Sequence, residues 1–187
     1  MNSNLIITIG REYGTGGREI GQKLALRLGV PFYDRELITR AAKKTGFDEK
    51  LFEQLDKRAT NSFLYSLTMF GSVGLNGMSL TDQLYLAQSN IIREMAEDSS
   101  CVIVGRCADH VLRDFPNKFD FFIHGSIEDR VKRVQTCGDY VIEGKTPEAA
   151  LEKMDKQRST YYNYYTGKVW GKCDHYDLCI NAGRLGV

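Results

Sequence analysis

The chain has 187 residues, enough for one domain with a full hydrophobic core. Its 25 basic and 24 acidic side chains leave a net charge of +1. That balance gives no global electrostatic case for a nucleic-acid polymer or an anionic membrane as partner. Five cysteines (101, 107, 137, 173 and 179) are odd in number and lack C-x-x-C spacing, so no metal centre of cysteine and histidine is expected.

No apolar run approaches the roughly 20 residues that span a bilayer. No signal-peptide pattern precedes the first apolar run, and a reducing cytoplasm is the expected setting. Cys101 and Cys179 sit inside apolar runs and read as small core residues.

Residues 4–29, NLIITIGREYGTGGREIGQKLALRLG, organise the rest. Leu5, Ile6, Ile7 and Ile9 predict a strand. A loop follows with glycines at 10, 14, 16 and 17. Then Ile20, Leu24 and Leu28 recur at helical spacing, with Gly21 on the same face. Strand, glycine loop and helix is a phosphate-binding arrangement. Glycines accept φ > 0, so successive N–H groups can face one concavity, and the helix dipole adds positive potential. The loop departs from the G-x-x-x-x-G-K-[ST] pattern.

Val30–Asp34 reads as a short strand, and residues 35–44 as a helix ended by Gly46. Residues 48–57 look helical, and residues 71–79 hold three glycines and an asparagine. The region 47–80 has two readings, a flap over a substrate or a surface excursion. Residues 81–97 form a helix with Leu84, Ala87, Ile91 and Met95 in phase, and Ser79 with Asp82 resembles a capping box. Cys101–Gly105 is a continuous apolar run, the pattern of a strand buried on both faces. Arg106 follows it, and a helix covers 107–113.

Phe119–Ile123 predicts another buried strand. Residues 126–135 predict a helix capped by Ser126, with Arg130 and Arg133 on one face. Residues 146–160 predict a helix with Pro147 at its first position, followed by a separate aromatic segment at 161–171. The tyrosines there read as packing or stiffening in preference to base stacking. The last strand is Tyr176–Ile180. Five short strands separated by helices give an α/β fold, a parallel sheet with helices on both faces. The loop at 10–17, Asp34, Arg106 and Ser126 would then meet at the carboxyl rim, where such sheets bind ligands.

In order, GREYGTGGREIG, FYDRELI, VIVGRCAD and DKQRSTYYNYYTGKVWG resemble the cytidylate kinase-like family of the P-loop nucleoside monophosphate kinases. The resemblance covers nearly the whole chain. It implies one three-layer P-loop kinase domain over 1–187, with 47–80 as an acceptor-side insertion and 136–172 as a lid. The chain ends at Val187, soon after the last strand, where this fold usually adds a terminal helix.

The same resemblance implies site residues. Gly14, Thr15, Gly16, Gly17, Arg18 and Glu19 would cradle the ATP phosphates. Asp34, Arg40 and Arg106 would face the acceptor's phosphate. Arg130, Arg133, Asp155 and Arg158 belong to the lid, with Arg158 reaching the transferring group. The aspartate of the family's G-R-D element is Cys107 here. Aligned on the strand end, Arg11 stands at the first glycine of the loop pattern and Gly17 at its lysine. Sliding by one residue makes Arg18 the lysine substitute but puts Glu12 at the first glycine; either Arg18 or Arg11 could restore the missing charge, and Arg18, Arg106 and Arg158 are the catalytic candidates.

ATP and Mg²⁺ are the implied cofactors, with the ion held partly through water because the usual Ser/Thr is missing. The partners are small-molecule nucleotides. Three functional readings follow: phosphoryl transfer to a nucleoside monophosphate such as CMP, a nucleotide-binding sensor with a degenerate loop, or a kinase for another small acceptor. No oligomeric state can be read from the sequence.

Overall fold

The structure is a computed structural model describing residues 4–34, 40, 79–138, 140 and 146–187. Strand β1 (Ile6–Arg11) leads through the glycine loop into α1 (Gly17–Leu28) and then β2 (Phe32–Tyr33). Further along come α2 (Leu80–Asp98), β3 (Cys101–Val104), the short α3 (Ala108–Val111), β4 (Lys118–His124) and α4 (Ile127–Thr136). Helix α5 (Pro147–Thr166), strand β5 (Leu178–Asn181) and the short α6 (Ala182–Leu185) complete it. The helix expected at 35–44, apart from residue 40, and almost all of the 47–80 insertion lie outside the described residues.

The strands form one parallel sheet in the order β2-β3-β1-β4-β5. Alternation along the central strands divides the core into two layers. Cys101 and Ile103 of β3 join Ile6 against α2, where Ile91, Ile92 and Met95 are buried. Val102 and Val104 face the other way and join Ile7, Ile9 and Ala25 under α1. A strand buried on both faces has no room for a polar alternate residue, which is why CVIV is apolar throughout. Burial of this kind stabilises each strand residue by about 1.5–3 kcal/mol.

Local signals place the helix ends. The Asp82 and Asp129 backbone N–H groups donate to the Ser79 and Ser126 hydroxyls, both at 3.1 Å. The Ala149 N–H donates to the Thr146 hydroxyl at 3.2 Å, just before Pro147. Gly29 ends α1 with φ +66, and the next N–H, of Val30, donates to the Ala25 carbonyl at 3.0 Å.

The second strand, the helix after β3 and the last strand differ from expectation by a residue or two at their ends, and one helix differs by more. Helix α5 does not stop at 160 but runs through the tyrosines to Thr166. Tyr161 and Tyr165, one turn apart, pack at 4.8 Å, and Tyr165 stacks on Tyr85 of α2 at 4.0 Å. This tertiary stacking outweighs the modest helix propensity of aromatic residues.

Candidate functional site

The carboxyl ends of β1, β2 and β3 meet the glycine loop on one rim of the sheet. Beside them lies a cavity of about 210 Å³. Arg11, Asp34, Arg106, Asp109, Gln157 and Arg158 line it with polar groups, and Tyr161, Tyr162, Trp170 and Tyr176 with aromatic ones. Asp34 and Arg106 occupy strand ends as expected, and α5 brings Arg158 across from the lid side.

Arg158 is anchored from below and above. Its guanidinium donates to the Arg11 carbonyl at 2.9 Å and lies 5.1 Å from the centre of the Tyr13 ring. Burial lowers its pKa from the ordinary arginine value, against the opposing pull of Asp155. Burial also lowers the pKa of Arg11, to about 9, with Arg158 adding to the shift by like-charge repulsion. Arg11 and Arg158 share the cavity wall with a third arginine, Arg106, and with the acidic Asp34 and Asp109.

Arg18 takes a different place from Arg11. It extends from α1 with a side chain 57% exposed, and its Nε donates to Asp34 Oδ2 at 2.7 Å. It does not line the cavity. Arg40 is exposed and stands 5.5 Å from the centre of the Tyr33 ring, at the mouth of β2 and outside the cavity lining.

The loop is held by charged side chains from α4 and α5. The Tyr13 N–H donates to Asp155 Oδ1 at 2.6 Å, and Arg130 donates to Asp155 Oδ2 and to the Tyr13 carbonyl, the latter at 3.2 Å. Glu12 accepts the Gly125 N–H at 3.0 Å and faces Arg130 at 3.6 Å. Arg133 donates to Glu19 and to the Tyr140 hydroxyl, and Lys23 pairs with Glu19 at 2.8 Å. Gly14 and Thr15, with Arg130 and Arg133, line a second depression of about 280 Å³ that shares no lining residue with the first. The candidates therefore divide between two depressions.

Backbone strain gathers at the end of β3. Gly105, Arg106 and Cys107 have φ of +80, +61 and +55. Two consecutive non-glycine residues in the left-handed region cost about 1–3 kcal/mol each. Such strain persists where the surrounding structure over-determines it, and here it turns the Arg106 position out of the strand.

Asp109, Gln157, Tyr162 and Tyr176 line the cavity although the sequence reading gives them no site role. Tyr162 donates to Asp109 Oδ2 at 2.5 Å, and burial raises the pKa of that carboxyl. Gln157 Oε1 is buried without a hydrogen-bond partner and belongs to the cavity wall. Tyr176 closes the floor. Asp109 lies two residues past Cys107, which itself lines the cavity where the family motif has its aspartate. That proximity was a legible signal, whereas Gln157, Tyr162 and Tyr176 needed the helix and strand to be placed.

A directly protein-held Mg²⁺ does not fit these residues. Glu12, Glu19, Asp34 and Asp155 each pair with an arginine, as described above. Among the described residues no group of three His, Cys, Asp or Glu is placed to hold a metal ion. No helix among them is long and apolar enough to cross a membrane.

A five-stranded parallel sheet with a glycine loop after its central strand and arginines gathered beyond the strand ends defines a P-loop kinase fold. The crystal structure of a shikimate kinase from Bacteroides thetaiotaomicron shares this fold, with TM-score 0.55, 15% identity, and coverage of 98% of this chain and 89% of that one. The chain belongs to the cytidylate kinase-like family, whose model matches residues 6–184. An uncharacterized protein from Eubacterium ventriosum is similar over 95% of this chain and 88% of its own, at 32% identity and TM-score 0.65. No curated protein matches the chain. Membership in this family supports phosphoryl transfer to a small molecule.

Proposed function

We propose that the protein transfers the γ-phosphoryl group of ATP to a small phosphorylated acceptor, a nucleoside monophosphate such as CMP. One observation carries this reading: Arg11, Arg106 and Arg158 face a single cavity beside the glycine loop. The three guanidinium groups share one partly buried space with two acidic side chains, Asp34 and Asp109, which leaves a surplus of positive charge there. With two phosphates between them, they neutralise the charge that spreads over the transferring group.

In this reading an acceptor phosphate oxygen attacks the γ-phosphorus. The bond from that phosphorus to the β–γ bridging oxygen breaks, and ADP leaves with the electron pair. No covalent enzyme intermediate is needed. Loop N–H groups and α1 hold the donor phosphates, and Arg158 spans donor and acceptor from α5. ATP enters as its Mg²⁺ complex, with the ion carried by phosphates and water. Asp34 positions Arg18 and borders the acceptor space, and Arg40 stands at its entrance. Arg130 and Arg133 from α4 and Asp155 from α5 brace the loop, the 136–172 region acts as the lid over the single domain, and 47–80 contributes to acceptor choice. The expected setting is the cytoplasm.

The second reading, a nucleotide-binding sensor, is favoured by the absence of a lysine on α1 near the loop: Gly17 holds its place and Arg18 is tied to Asp34. One assay separates the two. The protein is incubated with ATP, Mg²⁺ and a panel of nucleoside monophosphates, and ADP and diphosphate are followed. Turnover with a pyrimidine monophosphate supports the kinase. Nucleotide-dependent thermal stabilisation with no turnover on any acceptor supports the sensor.

A further inference from the structure

We propose that Arg11 is the phosphate-contacting cation of this loop, and that Gly17 is glycine because Arg11 occupies the space a side chain there would need. The inference rests on the kinase reading above and deepens it. In the G-x-x-x-x-G-K-[ST] pattern, aligned on the end of β1, glycine falls at position 11 and lysine at 17. This chain has the two exchanged: arginine at 11 and glycine at 17.

The two positions touch. A Cβ at Gly17 would lie 2.6 Å from the Arg11 Cβ and 2.9 Å from its Cγ. Those atoms belong to the base of a side chain fixed on β1 and cannot swing aside as a flexible tip can. Side chains at 11 and 17 therefore exclude each other. A cation can enter the loop from the helix or from the strand, and this chain uses the strand.

The path of Arg11 agrees. Its guanidinium reaches Gly105, where a Cβ would collide with Nη1. It ends in the cavity wall with Arg106 and Arg158. Asp34 Oδ1 stands 4.0 Å from Nη2, at the limit of an ion pair, while Arg18 holds the other oxygen of the same carboxylate at 2.7 Å. Asp34 is thus shared, and Arg11 keeps donors for an anion. The lowered pKa of Arg11, to about 9, reflects the same burial and like-charge crowding, which a bound phosphate would relieve.

The test is a reciprocal exchange in the full chain, with folding followed by near-UV circular dichroism. Arg11→Gln is expected to lower turnover by about 100-fold or more, the scale of one lost transition-state donor. Gly17→Lys alone is expected to misfold or lose activity. The double variant Arg11→Gly with Gly17→Lys is expected to recover about tenfold over Arg11→Gly, a coupling beyond additivity. A folded double variant no better than Arg11→Gly would overturn the proposal, as would a folded, fully active Gly17→Lys. Should the double variant not fold, the ranking decides: Arg11→Gln must lose about tenfold more turnover than Arg18→Ala, and the reverse order refutes it. Should the wild type turn over no acceptor, the kinase reading falls by itself. Arg11 is then judged by calorimetric titration with Mg²⁺–ATP, where an unchanged Kd in Arg11→Gln refutes its role.

Discussion

The Tyr13 backbone N–H donates to the Asp155 carboxylate at 2.6 Å, so a residue of the lid-side helix α5 supplies the acceptor for a loop donor. The same carboxylate holds Arg130, whose side chain is only 10% exposed. Loop, α4 and α5 therefore share one charged junction. Asp155→Ala leaves the buried guanidinium with only the Tyr13 carbonyl and the more distant Glu12 carboxylate, at 3.6 Å, and it should cost about 3 kcal/mol of stability. Urea denaturation measures this. A loss below about 1 kcal/mol, the level of an exposed ion pair, would show that water takes over the role of the carboxylate.

Glycines at similar positive φ should differ in consequence. Gly29 has φ +66 with open space around it, whereas Gly105 has φ +80 and Arg11 against its face. Gly29→Ala should cost about 1 kcal/mol from backbone strain alone. Gly105→Ala should cost more and should also weaken Mg²⁺–ATP affinity, because the new methyl displaces the Arg11 guanidinium. Thermal unfolding read together with nucleotide titration checks the contrast.

Tyr162→Phe removes a hydroxyl that donates to the partly buried Asp109 carboxyl, which keeps its hydrogen bond from the His110 backbone. Loss of one such hydrogen bond costs about 1 kcal/mol. The pKa of Asp109, already raised by burial, should rise further in this variant, because the hydrogen bond from Tyr162 acts to lower it. Carboxylate titration by NMR reads that direction directly.

His110 provides a pH signature. Burial lowers its pKa below the ordinary 6.5, with Arg113, Lys168 and Arg93 adding to the shift and Asp109 opposing it. Arg113 Nη1 lies 3.5 Å from the imidazole Nε2. A depressed folded-state value means that the unfolded chain takes up the proton first. Stability from neutral His110 is full above about pH 6.5 and falls as pH drops through the window down to the folded value. His110→Gln should flatten that part of the stability-versus-pH curve. An unchanged slope would place the proton uptake on another group.

Much of the fold was legible because it is local chemistry. Mostly apolar runs marked Ile6–Ile9, Cys101–Val104 and Phe119–Ile123, and Ser79, Ser126 and Thr146 with Pro147 marked helix starts within a residue or so. The extension of α5 through Tyr161–Thr166 was not legible, since stacking on Tyr85 from a distant helix stabilises it. The site divided in the same way. Asp34, Arg106 and the loop glycines sit at strand ends, where sheet topology alone gathers them. Asp109, Gln157 and Tyr162 enter the cavity only once α3 and α5 are packed over it.

The sequence by itself determined a parallel α/β sheet, a glycine loop after its first strand, and a surplus of arginines along one rim. Period-2 and period-3.6 burial and the φ freedom of glycine are properties of neighbouring residues, so they can be read in order along the chain. Only the tertiary structure decided where each arginine points. Arg18 turns outward to Asp34, and Arg11 passes under Gly105 into the cavity. That choice depends on steric exclusion between Arg11 and Gly17, residues six apart in sequence whose contact exists only when strand and helix pack against each other.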